Sequence, residues 1–178
     1  MAETTRRTMT AAEFLTWDDG TDTRYELVDG VVVAKPLSGD RHGTILGNLA
    51  FVLRGGGCRA VLVAGLPLDG RNVFLPDVAA TNQVPRPGSF LERPHLVGEV
   101  LCAATEALDL GPKLRRYVEL PSVREIWLVD SRERWVQVWQ RTENAWIVTL
   151  PLRGSAEFAS EVLGDRVALD ELYRNTGL

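Results

Sequence analysis

Leu75-Pro76-Asp77-Val78-Ala79-Ala80 and His95-Leu96-Val97-Gly98-Glu99-Val100-Leu101 each put one carboxylate into an otherwise apolar strand. A strand core disfavours a charge unless it is paired or bound. Adjacent strands lie about 4.8 Å apart, so if these two pair, Asp77 and Glu99 converge. Two such carboxylates suit a hard cation such as magnesium, which takes oxygen ligands and completes its shell with water and phosphate. The backbone carbonyl of Val100 is a further oxygen beside them. Downstream, Asp109, Lys113 and Tyr117 are spaced four apart, on one face of a helix. Two acids on strands followed by a lysine on a helix fit metal-assisted chemistry at a phosphate.

Upstream of this stretch, Thr10 to Leu15 reads as a short helix, with Thr10 and Glu13 in capping-box spacing. Arg24 to Pro36 reads as a β-hairpin turned by Asp29-Gly30. Glu26 in its first arm is either a solvent-facing residue of an alternating strand or a third acid of the site. His42 to Arg54 has helical spacing of apolar residues, and Gly55-Gly56-Gly57 stops it. That glycine run follows a helix and lacks a Lys-Ser/Thr ending, so it is no phosphate loop. Arg59 to Leu68 and Val73 to Ala80 read as two strands, with Pro76 implying an edge or a bulge. Asn82 to Arg93 reads as an exposed loop.

Asp109 to Leu120 reads as a helix with Pro112 in its first turn. Beyond it, Arg124 to Asp130 reads as a strand. Arg134 to Trp139 and Ala145 to Leu150 read as a second hairpin. Arg166 to Ala168 reads as a strand before a terminal helix started by Asp170. Trp127, Trp135, Trp139 and Trp146 read as core or dimer surface, and Cys102 as a small buried residue. This order implies an α/β fold: a mixed β-sheet with one core, helices on each side and an N-terminal β-hairpin.

The chain has 178 residues, fitting a single domain over 1–178 with residues 1–9 as a flexible N-terminus. Two cysteines with no C-x-x-C partner exclude a disulfide scaffold and fit a reducing, cytoplasmic compartment. No apolar run approaches the roughly 20 residues that span a bilayer, and no apolar segment follows the N-terminus as in a signal peptide. A formal net charge of −4 argues against a protein that coats nucleic acid non-specifically.

A longer set of residues is more specific than the acids alone. It comprises Arg24-Tyr25-Glu26-Leu27-Val28-Asp29-Gly30, Arg41-His42, Pro76-Asp77-Val78, Glu99-Val100-Leu101, Thr105, Asp109-x-Gly-x-Lys113 with Tyr117, and Val123 to Asp130. In these the chain resembles the Uma-two family of endonucleases, a branch of the PD-(D/E)XK restriction-endonuclease-like superfamily. The resemblance runs from Met9 almost to the C-terminus and implies a restriction-endonuclease-like core.

It further implies a magnesium-dependent cleavage of DNA phosphodiesters by metal-activated water, with manganese as a substitute ion. Asp77 and Glu99 would be metal carboxylates, Val100 a carbonyl ligand, and Glu26 an outer ligand or base. Leu101 stands where the superfamily has its lysine, and the family's shift of that lysine to the next helix makes Lys113 its equivalent. Asp109 and Tyr117 would support Lys113, and His42 would act behind the site or on phosphate. The family loop Ser-Pro-Ser is replaced here by Cys102-Ala103-Ala104. A homodimer would suit double-strand cleavage. The rival expectation is a nuclease-fold protein that binds nucleic acid or a partner protein without cutting.

Overall fold

A computed structural model describes residues 7–178. Of the segment expected to be flexible, 1–6 lies outside the described residues. Residues 7–9 are instead paired: Val32 donates to the Arg7 carbonyl, Met9 to that of Gly30, and Thr8 pairs with Val31. Helix α1 (Ala11–Phe14) follows, with the Thr10–Glu13 capping box formed in both directions. Strands β1 (Tyr25–Val28) and β2 (Val31–Ala34) form the expected hairpin. Asp29 and Gly30 both take positive φ, 49° and 83°, as a tight turn of this hand requires.

Helix α2 (Asp40–Gly55) begins two residues before the expected start and ends at the glycine run. The next two expected strands are each broken in the middle. Arg59 to Leu68 is β3 (Arg59–Leu62) and β4 (Leu66–Asp69). Val73 to Ala80 is β5 (Asn72–Phe74) and β6 (Val78–Thr81). The four pieces are one long antiparallel hairpin whose arms both change sheet halfway. Two features bend it: Val63 has φ 46°, and Pro76 has no N–H to give to a ladder.

Strand β7 (Leu96–Leu101) lies antiparallel to β6 and parallel to β8 (Glu125–Asp130). Gly98 in β7 lets β6 approach, since a Cβ there would fall 2.7 Å from a methyl of Val78. Between β7 and β8 runs one helical excursion: α3 (Glu106–Leu108), a π-turn over Asp109–Lys113, and α4 (Leu114–Glu119). Pro112 therefore sits inside the excursion, not in its first turn. A proline breaks an α ladder, and the wider π-turn accommodates it.

Strands β9 (Trp135–Arg141) and β10 (Trp146–Val148) form the second hairpin. Two strands have no counterpart in the sequence reading, β11 (Leu152–Arg153) and β12 (Glu157–Ser160). The latter pairs with β13 (Asp165–Ala168). The last helix, α5 (Leu169–Leu172), starts one residue before Asp170.

The strands make a seven-stranded sheet, β10-β9-β8-β7-β6-β3 with β11 also on β9, the mixed sheet expected from the sequence. A four-stranded sheet, β2-β1-β5-β4, and the β12-β13 pair stand apart from it. The apolar residues likewise form more than the single core expected. Ile45, Leu49 and Leu53 of α2 pack with Leu96, Val100, Trp127 and Val129 on one face of the large sheet. Val97, Leu101, Ile126 and Leu128 pack with Tyr117 on the other. This alternation along β7 sends Glu99 to the α4 side. Trp127 is core, edge-on to Phe158, while Trp135, Trp139 and Trp146 are half-buried against the α4-side cluster. Cys102, expected to be buried, is half-buried, its sulfur 3.4 Å from the Thr105 hydroxyl. Among the described residues no helix is long and apolar enough to cross a membrane.

Candidate active site

Asp77 stands at the crease where the long hairpin passes from the small sheet to the large one. Its carbonyl accepts the Val63 N–H at 3.1 Å. Its N–H donates to Glu99 Oε2 at 3.2 Å, and its Oδ2 accepts the Val100 N–H at 2.9 Å. Each carboxylate thus ties down the other's strand. Side-chain oxygens satisfy backbone donors where the ladder between β6 and β7 has run out.

The other groups arrive from far apart in the chain. Glu26, from β1, accepts the Leu75 N–H on Oε1 at 2.7 Å. Lys113 reaches in from the π-turn, and its Nζ lies 2.7 Å from Glu99 Oε1, 3.0 Å from Asp109 Oδ1 and 3.1 Å from Glu26 Oε1. The Tyr117 hydroxyl donates to Glu99 Oε1 at 2.6 Å, and its ring packs edge-on to Phe74. All of these side chains are buried. Asp109, Lys113 and Tyr117 share a helix face as their spacing implied, and that face meets Glu99 and Glu26.

His42, in the first turn of α2, lies with Nε2 3.3 Å from Asp77 Oδ2. Its Nδ1 is buried without a hydrogen-bond partner. Val100 contributes its N–H to the cluster. One member has no precedent in the sequence reading. Lys35, just past β2, places Nζ 2.9 Å from Asp77 Oδ1 and 2.8 Å from the Leu75 carbonyl. No motif marks it. The only hint is a lysine ending an apolar hairpin arm whose partner arm carries Glu26.

Four carboxylates, Glu26, Asp77, Glu99 and Asp109, face two ammonium groups, Lys35 and Lys113. The excess of negative charge and the burial divide the titrations. Burial alone would raise Asp77, but the hydrogen bond to His42 and the Lys35 ammonium outweigh it and hold the carboxyl well below its usual range. Burial pushes Glu99 up to about 8, Lys113 pulling it down and Asp109 and Asp77 adding to the rise. Burial would lower Lys113, but Glu99, Glu26 and Asp109 together carry it well above the ordinary lysine value. Burial likewise drives the Tyr117 phenol well up, so it stays a donor to Glu99.

The two acids therefore act oppositely on stability. Asp77 contributes stability that is present above its ordinary value of 3.8 and is lost as pH falls through its folded value. For Glu99, between the ordinary value of 4.5 and about 8 the folded form holds a proton that the unfolded chain has lost. The native state therefore loses stability as pH rises through that window. In Glu99→Gln that loss should vanish, so the melting-temperature difference from wild type should change across the window and level off above it. A difference independent of pH would contradict the titration of Glu99.

The donor set suits a hard cation in its chemistry. Asp77 and Glu99 offer carboxylate oxygens within one hydrogen-bond length of each other's backbone, and the local charge is negative. Among the described residues no three His, Cys, Asp or Glu side chains are already grouped to hold a metal. Lys35 and Lys113 occupy the positions of counter-ions. Two protein carboxylates plus water and phosphate oxygens are a normal set for magnesium, so the residues fit such an ion. The substituted loop Cys102-Ala103-Ala104 forms a turn, with the Cys102 carbonyl accepting the N–H groups of Thr105 and Glu106. It removes none of these oxygens.

Residues 11–170 match the Uma2 family model, described as "Putative restriction endonuclease". Two uncharacterized proteins of Synechocystis sp. are similar along their lengths. One, slr1290, is 28% identical over 172 residues, spanning 91% of this chain and 90% of that protein. The other, sll1609, is 23% identical over 168 residues, spanning 88% and 95%. A crystal structure from Anabaena variabilis, described as "a putative nuclease belonging to DUF820", has the same fold. Its TM-score is 0.71 at 18% identity, over 93% of this chain and 97% of that one.

Proposed function

Because this chain belongs to the Uma2 family, we propose that it is a metal-dependent DNA endonuclease that hydrolyses phosphodiester bonds with water. The observation that carries this reading is the mutual hold of Asp77 and Glu99 across the crease, with Lys113 bridging Glu99 to Glu26. Asp77, Glu99 and the Val100 carbonyl would hold magnesium, or manganese in its place. When bound, such an ion polarises the phosphodiester and lowers the pKa of a water molecule.

The chain's own groups have distinct tasks. Lys113 keeps Glu99 and Glu26 together, its ammonium resting on an oxygen of each. Tyr117, one turn further along the same helix face, donates to Glu99 Oε1 and fixes it. Glu26 is anchored through Oε1, so its other oxygen is the one to take a proton from the attacking water. His42 supports Asp77. The apolar clusters on both sides of the large sheet hold these groups in one geometry, which is where most of the rate of such a site arises. Two such sites in a homodimer would cut both strands of a duplex.

The test is direct. The purified chain, incubated with end-labelled duplex DNA, should nick or cut it in magnesium or manganese, and EDTA should stop the reaction. DNA binding with no product under any of these ions would favour the second reading, a nuclease-fold protein that binds without cutting.

A further inference from the structure

Lys113 is the lysine that the motif singles out, yet its surroundings leave it nothing to offer a substrate. An ammonium has three N–H donors. Those of Lys113 meet three carboxylate oxygens, on Glu26, Glu99 and Asp109, and its side chain is 1% exposed. Lys35 differs on each count. Its Nζ has two partners, the Leu75 carbonyl and Asp77 Oδ1, which leaves one N–H free. Its side chain is 11% exposed and lines a cavity of about 630 Å³ whose wall also includes Asp77 and His42.

The rest of that cavity suits an anion. Ser38, Gly39 and Gly43 bring the start of α2 to its wall. That helix has 16 residues and no side-chain hydrogen bond at its N-cap, Gly39, so its positive dipole end lies at the cavity wall, with the Asp40 carboxylate in the same turn. Arg24 at the wall adds a guanidinium, set against the carboxylate of Asp22.

We propose that Lys35 is the cation that meets the substrate phosphate, in the cavity between the end of the hairpin arm and the first turn of α2, and that Lys113 is the internal counter-ion of the acids. This rests on the nuclease reading. The phosphate enters beside Asp77, with the free N–H of Lys35 and the α2 N-terminus on its non-bridging oxygens. Lys35 then stabilises charge that grows on the phosphorus oxygens as water attacks. Lys113 stays behind, shaping Glu99 and Glu26 without touching the substrate.

The experiment uses the full chain, with wild type, Lys35→Met, Lys35→Gln and Lys35→Arg. Cleavage of labelled duplex DNA is read in magnesium, and binding of the same duplex by fluorescence anisotropy in EDTA across a salt series. Loss of the cation should lower kcat roughly 10²–10³-fold, and weaken binding with a salt slope smaller by about 1. Lys35→Arg should recover part of both. Lys35→Gln keeps a donor for the Leu75 carbonyl and serves if the methionine variant does not melt cooperatively.

If Lys35→Met or Lys35→Gln folds, cuts and binds as wild type does, the inference fails while the nuclease reading stands. If wild type binds but never cuts, the nuclease reading fails, and the binding loss alone decides the role of Lys35. If wild type neither cuts nor binds, both are overturned.

Discussion

Asp77→Asn is expected to leave a folded protein whose cleavage of DNA in magnesium is lower by roughly 10³-fold, at the upper end of what one preorganised charge contributes. The substitution keeps one oxygen for the Val100 N–H, so the crease survives. It removes the negative charge that faces Lys35 and His42, and with it one of the two carboxylates on which a divalent ion would rest. Cleavage rate and a thermal melt measured on the same preparation separate the two effects. A variant that folds and cuts within tenfold of wild type would remove Asp77 from the site.

Lys113→Met should act mainly on stability. It strips the ammonium from three carboxylates that have no access to water, and removing one partner from a buried ion cluster costs about 3–5 kcal/mol. Against a total of about 5–15 kcal/mol for an ordinary domain, this is a large fraction. The loss depends on pH in a defined direction. Without Lys113 the Glu99 carboxyl, already pushed up by burial, rises further, and an acid with a raised folded value contributes stability at low pH that is lost as pH rises. The urea midpoint of Lys113→Met should therefore fall far below wild type near neutral pH and approach it in mild acid. A second substitution, Glu99→Gln, should restore part of the loss at neutral pH, because the folded chain no longer has to take up a proton there. An unchanged midpoint at neutral pH would show that Lys113 is not the counter-ion of the cluster.

The parts of the fold that could be read from residues are those governed by local pattern. Asp29-Gly30 permits positive φ and so turns a hairpin, Thr10 and Glu13 cap a helix, and the apolar runs of β7, broken only at Gly98 and Glu99, and of β8 mark central strands. What escaped depends on partners distant in sequence. Nothing near Val63 marks it for φ 46°, because the strain is set by both hairpin arms changing sheet together. The π-turn has a visible cause in Pro112, but a proline after Gly111 reads equally well as a helix start. The acids of the site were legible because a carboxylate in an apolar strand contradicts its neighbours. Lys35 was not, because a lysine at the end of a hairpin arm contradicts nothing.

The bonds that close the crease join residues far apart along the chain: Glu26 to Leu75 across 49 positions, Lys35 to Asp77 across 42, and Asp77 to Glu99 across 22. Long closures of this kind form late, after local turns and helices. Synthesis runs from the N-terminus, so a nascent chain holds Glu26, Asp77 and Glu99 before Lys113 has been made. During that interval Asp77 already has Lys35 as its partner, whereas Glu26 and Glu99 lack the Lys113 ammonium that joins them. The order of synthesis thus sets an order of closure: Glu26 and Glu99 can be joined only once the helix that carries Lys113 has been made.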